Sequence, residues 1–157
     1  MTDEPLQGME RRMVHRLLRH WRDAREGDSL PTLDAVYEQR LGDIVAQSFV
    51  VRIVANDAEP ILGRIGAAFT DELAGPLSGE PLSSVPDATL MAMALGFYRE
   101  VLKRRVLITR GDLFLHRSGD IWLYRSVIVP ASADGRSVHF LLCAANGKVV
   151  SDDGGTG

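Results

Sequence analysis

Four histidines, one cysteine and a scatter of carboxylates are the groups with which this chain could do acid–base, nucleophilic or metal chemistry. His15, His20, His116 and His139 show no HxxxH or comparable ligand spacing with another His, Cys or carboxylate, so no metal site is expected. Cys143 sits inside the apolar run "VHFLLCAAN", where a small thiol is expected to serve packing rather than redox chemistry. No G-x-S-x-G elbow, phosphate-binding glycine loop or dinucleotide fingerprint occurs. The stretch "GDLFLHRSGD" brings Asp112, His116 and Asp120 to one turn, and an imidazole beside a carboxylate is the minimal general base. Solvated strand ends commonly carry the same residues, so no catalytic residue is assigned and the chain is expected not to be an enzyme. Directly after that turn, "DIWLYRS" sets Trp122, Tyr124 and Arg125 close together, as the wall of a site or the wet end of a sheet.

These groups must be held by a fold of ordinary composition. The chain has 157 residues, 45% hydrophobic and 25% charged, which suits one globular domain with a core large enough to need no disulfide. A single cysteine allows no internal pairing, and the first thirty residues are charged throughout, without the apolar centre of a signal peptide. No run approaches the length of a membrane span, so the expected setting is cytoplasmic with no membrane partner. A net charge of −3 gives no overall attraction to nucleic acid, and none is expected to bind.

The charge is uneven. Between Met9 and Arg25 six arginines face two acids, while Met9, Met13, Leu17, Leu18, Trp21 and Ala24 recur at helical spacing. This predicts an amphipathic helix over 9–24 with a solvated basic face. "REGDSLP" breaks it, and Thr32 can cap a second helix carrying Leu33, Val36, Tyr37 and Leu41. From Ser48 the period changes: "SFVVRIVAN" and "PILGRIGAAF" read as an antiparallel pair, with Gly63 and Gly66 marking a bend or a close backbone approach. Thr70 to Pro86 holds prolines and glycines between Leu73, Leu77 and Leu82, which suits short turns laid over a core. A long helix is predicted from an Asp87 cap to Arg105, its closing Lys103, Arg104 and Arg105 matching the helix dipole. Runs over 106–116, 121–129 and 138–146 then predict a three-strand meander. The expected organisation is a helical cap over 1–47, a core over 48–146 and a flexible tail over 147–157.

This order of elements, with the segments "LLRHWRDAREGDSLP", "LGRIGAAFTDELAGPLSGEPLSSV" and "RGDLFLHRSGD…VIVPASADGRSVHFLL", resembles a PAS domain. In particular it resembles a bacterial subfamily of small PAS proteins with a Trp-bearing N-terminal helix. Gly66, Phe69, Leu73, Gly79 and Leu82 stand at matching positions, as do Pro130, Asp134 and Gly135 in the loop before the last strand. The resemblance implies an α+β fold, a five-stranded antiparallel sheet in order 2-1-5-4-3 with connecting helices on one face and the N-terminal cap. It also implies sensing or signalling. The long helix has no His to ligate haem, and no Asn-Cys-Arg-Phe-Leu-like motif is present for a photoreceptive flavin, so no cofactor is expected.

The functional expectation is a small cytoplasmic bacterial sensor acting in trans on a signalling protein such as a kinase or receptor, as a homodimer. A small apolar or aromatic ligand would lie between the sheet and the connecting segments, with Ile65, Phe69, Leu73, Met91, Phe97, Trp122 and Tyr124 as candidate walls. Met13, Leu17, Leu18 and Trp21 are candidates for an interface. Alternation puts Trp122, Tyr124, Ser126 and Ile128 on one sheet face, but both faces are apolar and the sequence does not assign them. Two alternatives stand: a cone-shaped nuclear transport factor-like binder or enzyme, with another strand order, and an adaptor whose core is filled.

Overall fold

The computed structural model describes residues 4–25, 27, 29–37, 42–54, 58–73 and 75–150. Two long runs of β-branched and small apolar residues, Ile121–Ala131 (β4) and Phe140–Val149 (β5), pair antiparallel from Trp122↔Val149 to Ala131↔Phe140. Ser48–Arg52 (β1) pairs with the other side of β5, Ile61–Ile65 (β2) with β1, and Ile108–Leu115 (β3) with β4. The sheet order is therefore β2-β1-β5-β4-β3, all antiparallel. This is the α+β PAS-like arrangement, and the order excludes the cone fold. Among the described residues no helix is long and apolar enough to cross a membrane.

Both faces of the central strands are covered, each by residues of one parity, while most of β3 is exposed. Tyr124 and Ile128 of β4, with Leu141, Cys143 and Ala145 of β5, enter an inner core with Phe49, Phe69, Leu90 and Met91. Val127, Val129, Leu142 and Ala144 enter an outer core under helix α1, Glu4–Ala24. The helix begins five residues before the apolar periodicity. Met13, Leu17 and Trp21 are buried against the sheet, and the Trp21 indole donates to the Pro130 carbonyl at 2.8 Å. The predicted basic face is solvated where it is described: Arg19 and Arg22 are exposed, and the Arg25 guanidinium lies 4.6 Å from the Trp21 ring. Thr32 caps helix α2 (Leu33–Tyr37) as expected, accepting from the Ala35 amide; Leu41 lies outside the described residues.

The inner cover is made of short pieces, as the prolines and glycines of 70–86 require. A 3₁₀ turn, Ala67–Glu72, follows β2, and Leu82–Ser84 forms another. Gly66 permits the first: a Cβ there would lie 2.4 to 2.6 Å from the carbonyl oxygens of Val45, Ala46 and Ser48. The long helix predicted over 87–105 is corrected to two, α3 (Leu90–Leu95) and α4 (Tyr98–Arg104). Gly96 and Phe97 interrupt it, since a glycine inside a helix costs about 1 kcal/mol relative to alanine and Phe97 takes a non-helical φ/ψ. The cap is Thr89 rather than Asp87, its hydroxyl accepting from the Ala92 amide. The last strand is corrected too. β5 continues through Val149 because β4 starts at Ile121 and needs partners, and the Val150 amide donates to the Ile121 carbonyl at 2.7 Å. The expected tail therefore loses 147–149 to the sheet, and 151–157 lie outside the described residues.

Exposed edges are blunted. On β3 the Leu113 amide is taken by the Asp112 carboxylate at 2.7 Å and the Thr109 carbonyl by Arg110 at 3.0 Å. On β2 the segment 78–82 supplies the missing partners: Gly79 N–H to Leu62 O at 2.7 Å and Leu62 N–H to Glu80 O at 2.8 Å.

If α1 seals the outer core, Leu17→Ala removes a fully buried side chain and should cost about 2–5 kcal/mol in urea unfolding. A loss under about 0.5 kcal/mol, the size of an ordinary surface substitution, would show that the helix is not part of the folded unit.

Candidate functional site

The turn that closes β3 and β4 docks its histidine into the protein. His116 N–H donates to Asp120 O at 2.8 Å and Gly119, at φ +96°, completes the turn. The imidazole is turned inward, and its carboxylate partner is neither Asp112 nor Asp120. It is Glu72, at the end of the 3₁₀ turn 44 residues earlier: Nε2 lies 2.8 Å from Glu72 Oε2, with both side chains 9% exposed. Glu72 also accepts from the first two amides of α3, Leu90 at 2.6 Å and Met91 at 3.1 Å. A buried carboxylate is tolerable when its lone pairs are filled, and here three donors fill them.

The protonation pattern follows from geometry. The Ser118 amide donates to His116 Nδ1 at 3.0 Å, so that nitrogen offers its lone pair and Nε2 carries the proton given to Glu72. Both ring nitrogens are thus engaged inside the protein. In this arrangement the imidazole has no free lone pair for a substrate, and the His–Glu pair works as a clamp between the β3–β4 turn and the start of α3. A second tie runs alongside, from the Arg117 amide to the carbonyl of Ala88, a non-glycine residue at φ +60°.

Trp122 and Tyr124 belong to the inner face. The Trp122 ring stacks on His116 at 4.2 Å and 12°, and it lies, as Leu90 does, against the place where Gly147 lacks a side chain: a Cβ there would lie 2.9 Å from Trp122 Cε3 and 3.1 Å from Leu90 Cδ1. Among the described residues, Trp122 Nε1 is buried with no hydrogen-bond partner. Tyr124 meets Phe114 edge-on at 5.7 Å, and burial, with Asp112 nearby, pushes its phenol pKa up.

The other candidate walls are spread along the same inner side. Phe69 and Met91 are fully buried, Phe69 edge-on to Phe49 at 5.0 Å. Phe97 is half-buried beneath the Arg110 guanidinium, 5.5 Å away. Ile65 and Leu73 instead line an open cavity of about 390 Å³ with Thr70, Pro76, Leu77 and Ser78. Another concavity of about 390 Å³, on the outside of α3 and α4, is lined by Glu59, Asp87, Tyr98 and Arg99 among others. Of the candidate interface residues, Met13, Leu17 and Trp21 are used within the chain's own outer core, and Leu18 is half-buried. Sequence reasoning missed Glu72 altogether. Its only signal was an acid just before a broken Pro/Gly connection, which no local rule ties to a histidine two helices and a strand later.

No protein-family model matches the chain, and no curated protein matches it in sequence. Among solved structures it is similar to the light-state blue-light photoreceptor Aureochrome1 LOV, at 11% identity over 71% of this chain and 86% of that one, TM-score 0.44. It is similar to a fungal LOV domain photoreceptor, at 13% identity over 63% and 72%, TM-score 0.41. A light-oxygen-voltage domain studied with a flavin analogue gives 16% identity over 69% and 80%, TM-score 0.44. The PAS-like assignment of the fold stands on the chain's own strand order.

Two outcomes follow from the site. In a double-mutant cycle, Glu72→Gln and His116→Ala should each destabilise by about 1–3 kcal/mol, because each leaves a buried partner unsatisfied, and the pair together should cost less than the sum. Additive losses would mean that the two side chains do not interact. Burial also pushes the Cys143 thiol far up, so at pH 8 a disulfide reagent should label it only as fast as the chain unfolds. Rapid labelling of native protein would place the thiol at the surface.

Proposed function

We propose that this chain is a sensory or regulatory PAS-type protein of the bacterial subfamily with a Trp-bearing N-terminal helix. It acts in cytoplasmic signal transduction without catalysing a reaction. Its input is a small apolar or aromatic ligand on the inner side of the sheet, and its output is contact with a signalling protein such as a kinase or receptor. It works as a homodimer.

One observation carries the reading: β4 and β5 are shared between two separate cores. Successive residues of β5, from Leu141 to Ala145, alternate between the inner core beside the connecting helices and the outer core beneath α1. A ligand that changes the packing on the inner side therefore acts on strands that α1 grips on the other, through Trp21 and Pro130 among others. A state favoured by a ligand is favoured only as far as the ligand binds it better, and a sheet packed on both sides is an element whose two covers can be set against each other.

The adaptor reading has an observation of its own. Phe69 and Met91 are fully buried, so the centre of the inner core is filled by side chains.

The two separate in a melting screen of neutral aliphatic and aromatic metabolites, followed by hydrogen exchange and native mass spectrometry. A sensor should show at least one compound raising Tm by several degrees and altering exchange in α1, in a protein of twice the chain mass. If no compound raises Tm and α1 exchange never changes, the adaptor reading replaces the sensor.

A further inference from the structure

The geometry points to the cavity between β2 and residues 70–73 and 75–78 as a binding site for a small neutral molecule with an apolar body and one hydrogen-bond donor. This rests on the ligand-binding part of the reading above and gives that ligand a place and a chemistry.

Both sides of the space are tied back to neighbouring strands and turns. Residues 78–82 are held to β2 by the amide–carbonyl bonds of Leu62, Gly79 and Glu80, and the Ser78 hydroxyl adds a bond to Gly63 O at 2.8 Å. The facing Ala67–Glu72 turn is held by Gly66 N–H to Ser48 O at 2.7 Å and Ala68 N–H to Ala46 O at 3.0 Å. The space between them, about 390 Å³, lies within the ~300–1,000 Å³ usual for small-molecule pockets.

Its lining then selects the ligand. Ile65, Leu73, Pro76 and Leu77 supply apolar surface, and the side-chain polar groups are the hydroxyls of Thr70 and Ser78. Thr70 donates its proton to Ala67 O at 2.8 Å and Ser78 donates to Gly63 O, so toward the cavity both oxygens can only accept. No charged side chain is among the described residues that line the space. A charged ligand would give up its hydration without a counter-charge, and a ligand that brings a donor finds the Thr70 and Ser78 oxygens as acceptors. A phenol, an alcohol or an N–H on an apolar ring satisfies both conditions.

The position also gives such a ligand a lever. Thr70 and Leu73 face the cavity, while Glu72 between them holds His116 and the first amides of α3. Anything that settles against this turn bears on the β3–β4 hairpin.

The test titrates the full chain with phenol, toluene and benzoate and follows Ile and Leu methyl resonances. Phenol should shift Ile65, Leu73 and Leu77 well beyond Leu142 of the outer core. Toluene should bind about three- to tenfold more weakly for want of the donor, and benzoate more weakly than phenol. In Thr70→Ala and Ser78→Ala the gap between phenol and toluene should shrink while toluene binding is kept; either variant alone suffices if the other does not fold. Equal affinities for phenol and toluene in the unmodified chain, tighter binding of benzoate, or shifts confined to other methyls would each overturn the assignment. The outcome is separable from that of the sensory reading. If a metabolite raises Tm while these methyls ignore both it and phenol, the cavity assignment falls and the sensor stands. If the screen yields nothing but phenol binds here as described, the cavity stands and the ligand-driven sensor falls.

Discussion

Both faces of β4 and β5 are buried along their middle, and most of the architecture follows from that constraint. Leu141, Cys143 and Ala145 point one way from β5 and Leu142 and Ala144 the other, with no polar side chain among these five to distinguish the faces. Hydrophobicity alone would tolerate a one-residue slip here, because a slip that moves apolar residues from one buried face to another exposes nothing. Register must come from shape and from directed bonds. Gly147 sits where the Trp122 ring lies, and any side chain there would strike it. The Trp21 indole reaches the Pro130 carbonyl, which holds α1 to one height on β4. Gly66 lets the chain leave β2 against the carbonyls of Val45, Ala46 and Ser48. These few contacts do for register what polar alternation does in a sheet with one wet face.

A second constraint governs the hairpin end, where the inner cover is thin and made of short pieces. α3 has six residues and cannot hold itself together without its ends satisfied. Thr89 serves the Ala92 amide, and Glu72 serves Leu90 and Met91. The same carboxylate receives His116, so a helix start, a 3₁₀ turn and a hairpin share one buried anion. Trp122 closes the group by stacking on the imidazole while its own N–H has no partner among the described residues, a local imperfection beside an otherwise fully bonded cluster.

What the sequence disclosed and what it withheld divide along these two constraints. Element order, the amphipathic helix, the Thr32 cap and the strand order implied by the resemblance were legible because each rests on local periodicity or on a pattern spread over the chain. The face of Trp122 and Tyr124 was not. Alternation gives parity, and when both parities are apolar only the partners of each face can name it. The break at Gly96 and Phe97 was hidden because Leu90 to Leu102 keeps helical spacing across it. Glu72 was hidden more deeply. An acid that caps a helix 18 residues onward and pairs with a histidine 44 residues onward leaves no periodic trace. The acids near His116 in sequence, Asp112 and Asp120, are not the one it pairs with.

Coupling between a ligand and α1, on the proposed reading, needs an element with two arrangements that both sites bias; mere proximity through the sheet is not enough. The β-strands are poor candidates, since their ladders are complete from Trp122↔Val149 to Ala131↔Phe140 and a shift of register would break all of them together. The Ala67–Glu72 turn is the better one. It is a 3₁₀ segment of six residues, long for that geometry, whose hydrogen bonds are poorer than those of an α-helix. One side of it meets the cavity at Thr70, its Phe69 stands against Phe49 of β1, and its Glu72 reaches the hairpin. Val50, the next residue of β1, turns to the outer core with Leu17 and Trp21. A small rotation of this turn changes the pressure of Phe69 on β1 and the reach of Glu72 at once. It thus touches the cavity, β1 and the hairpin, and β1 in turn carries Val50 into the outer core beneath α1.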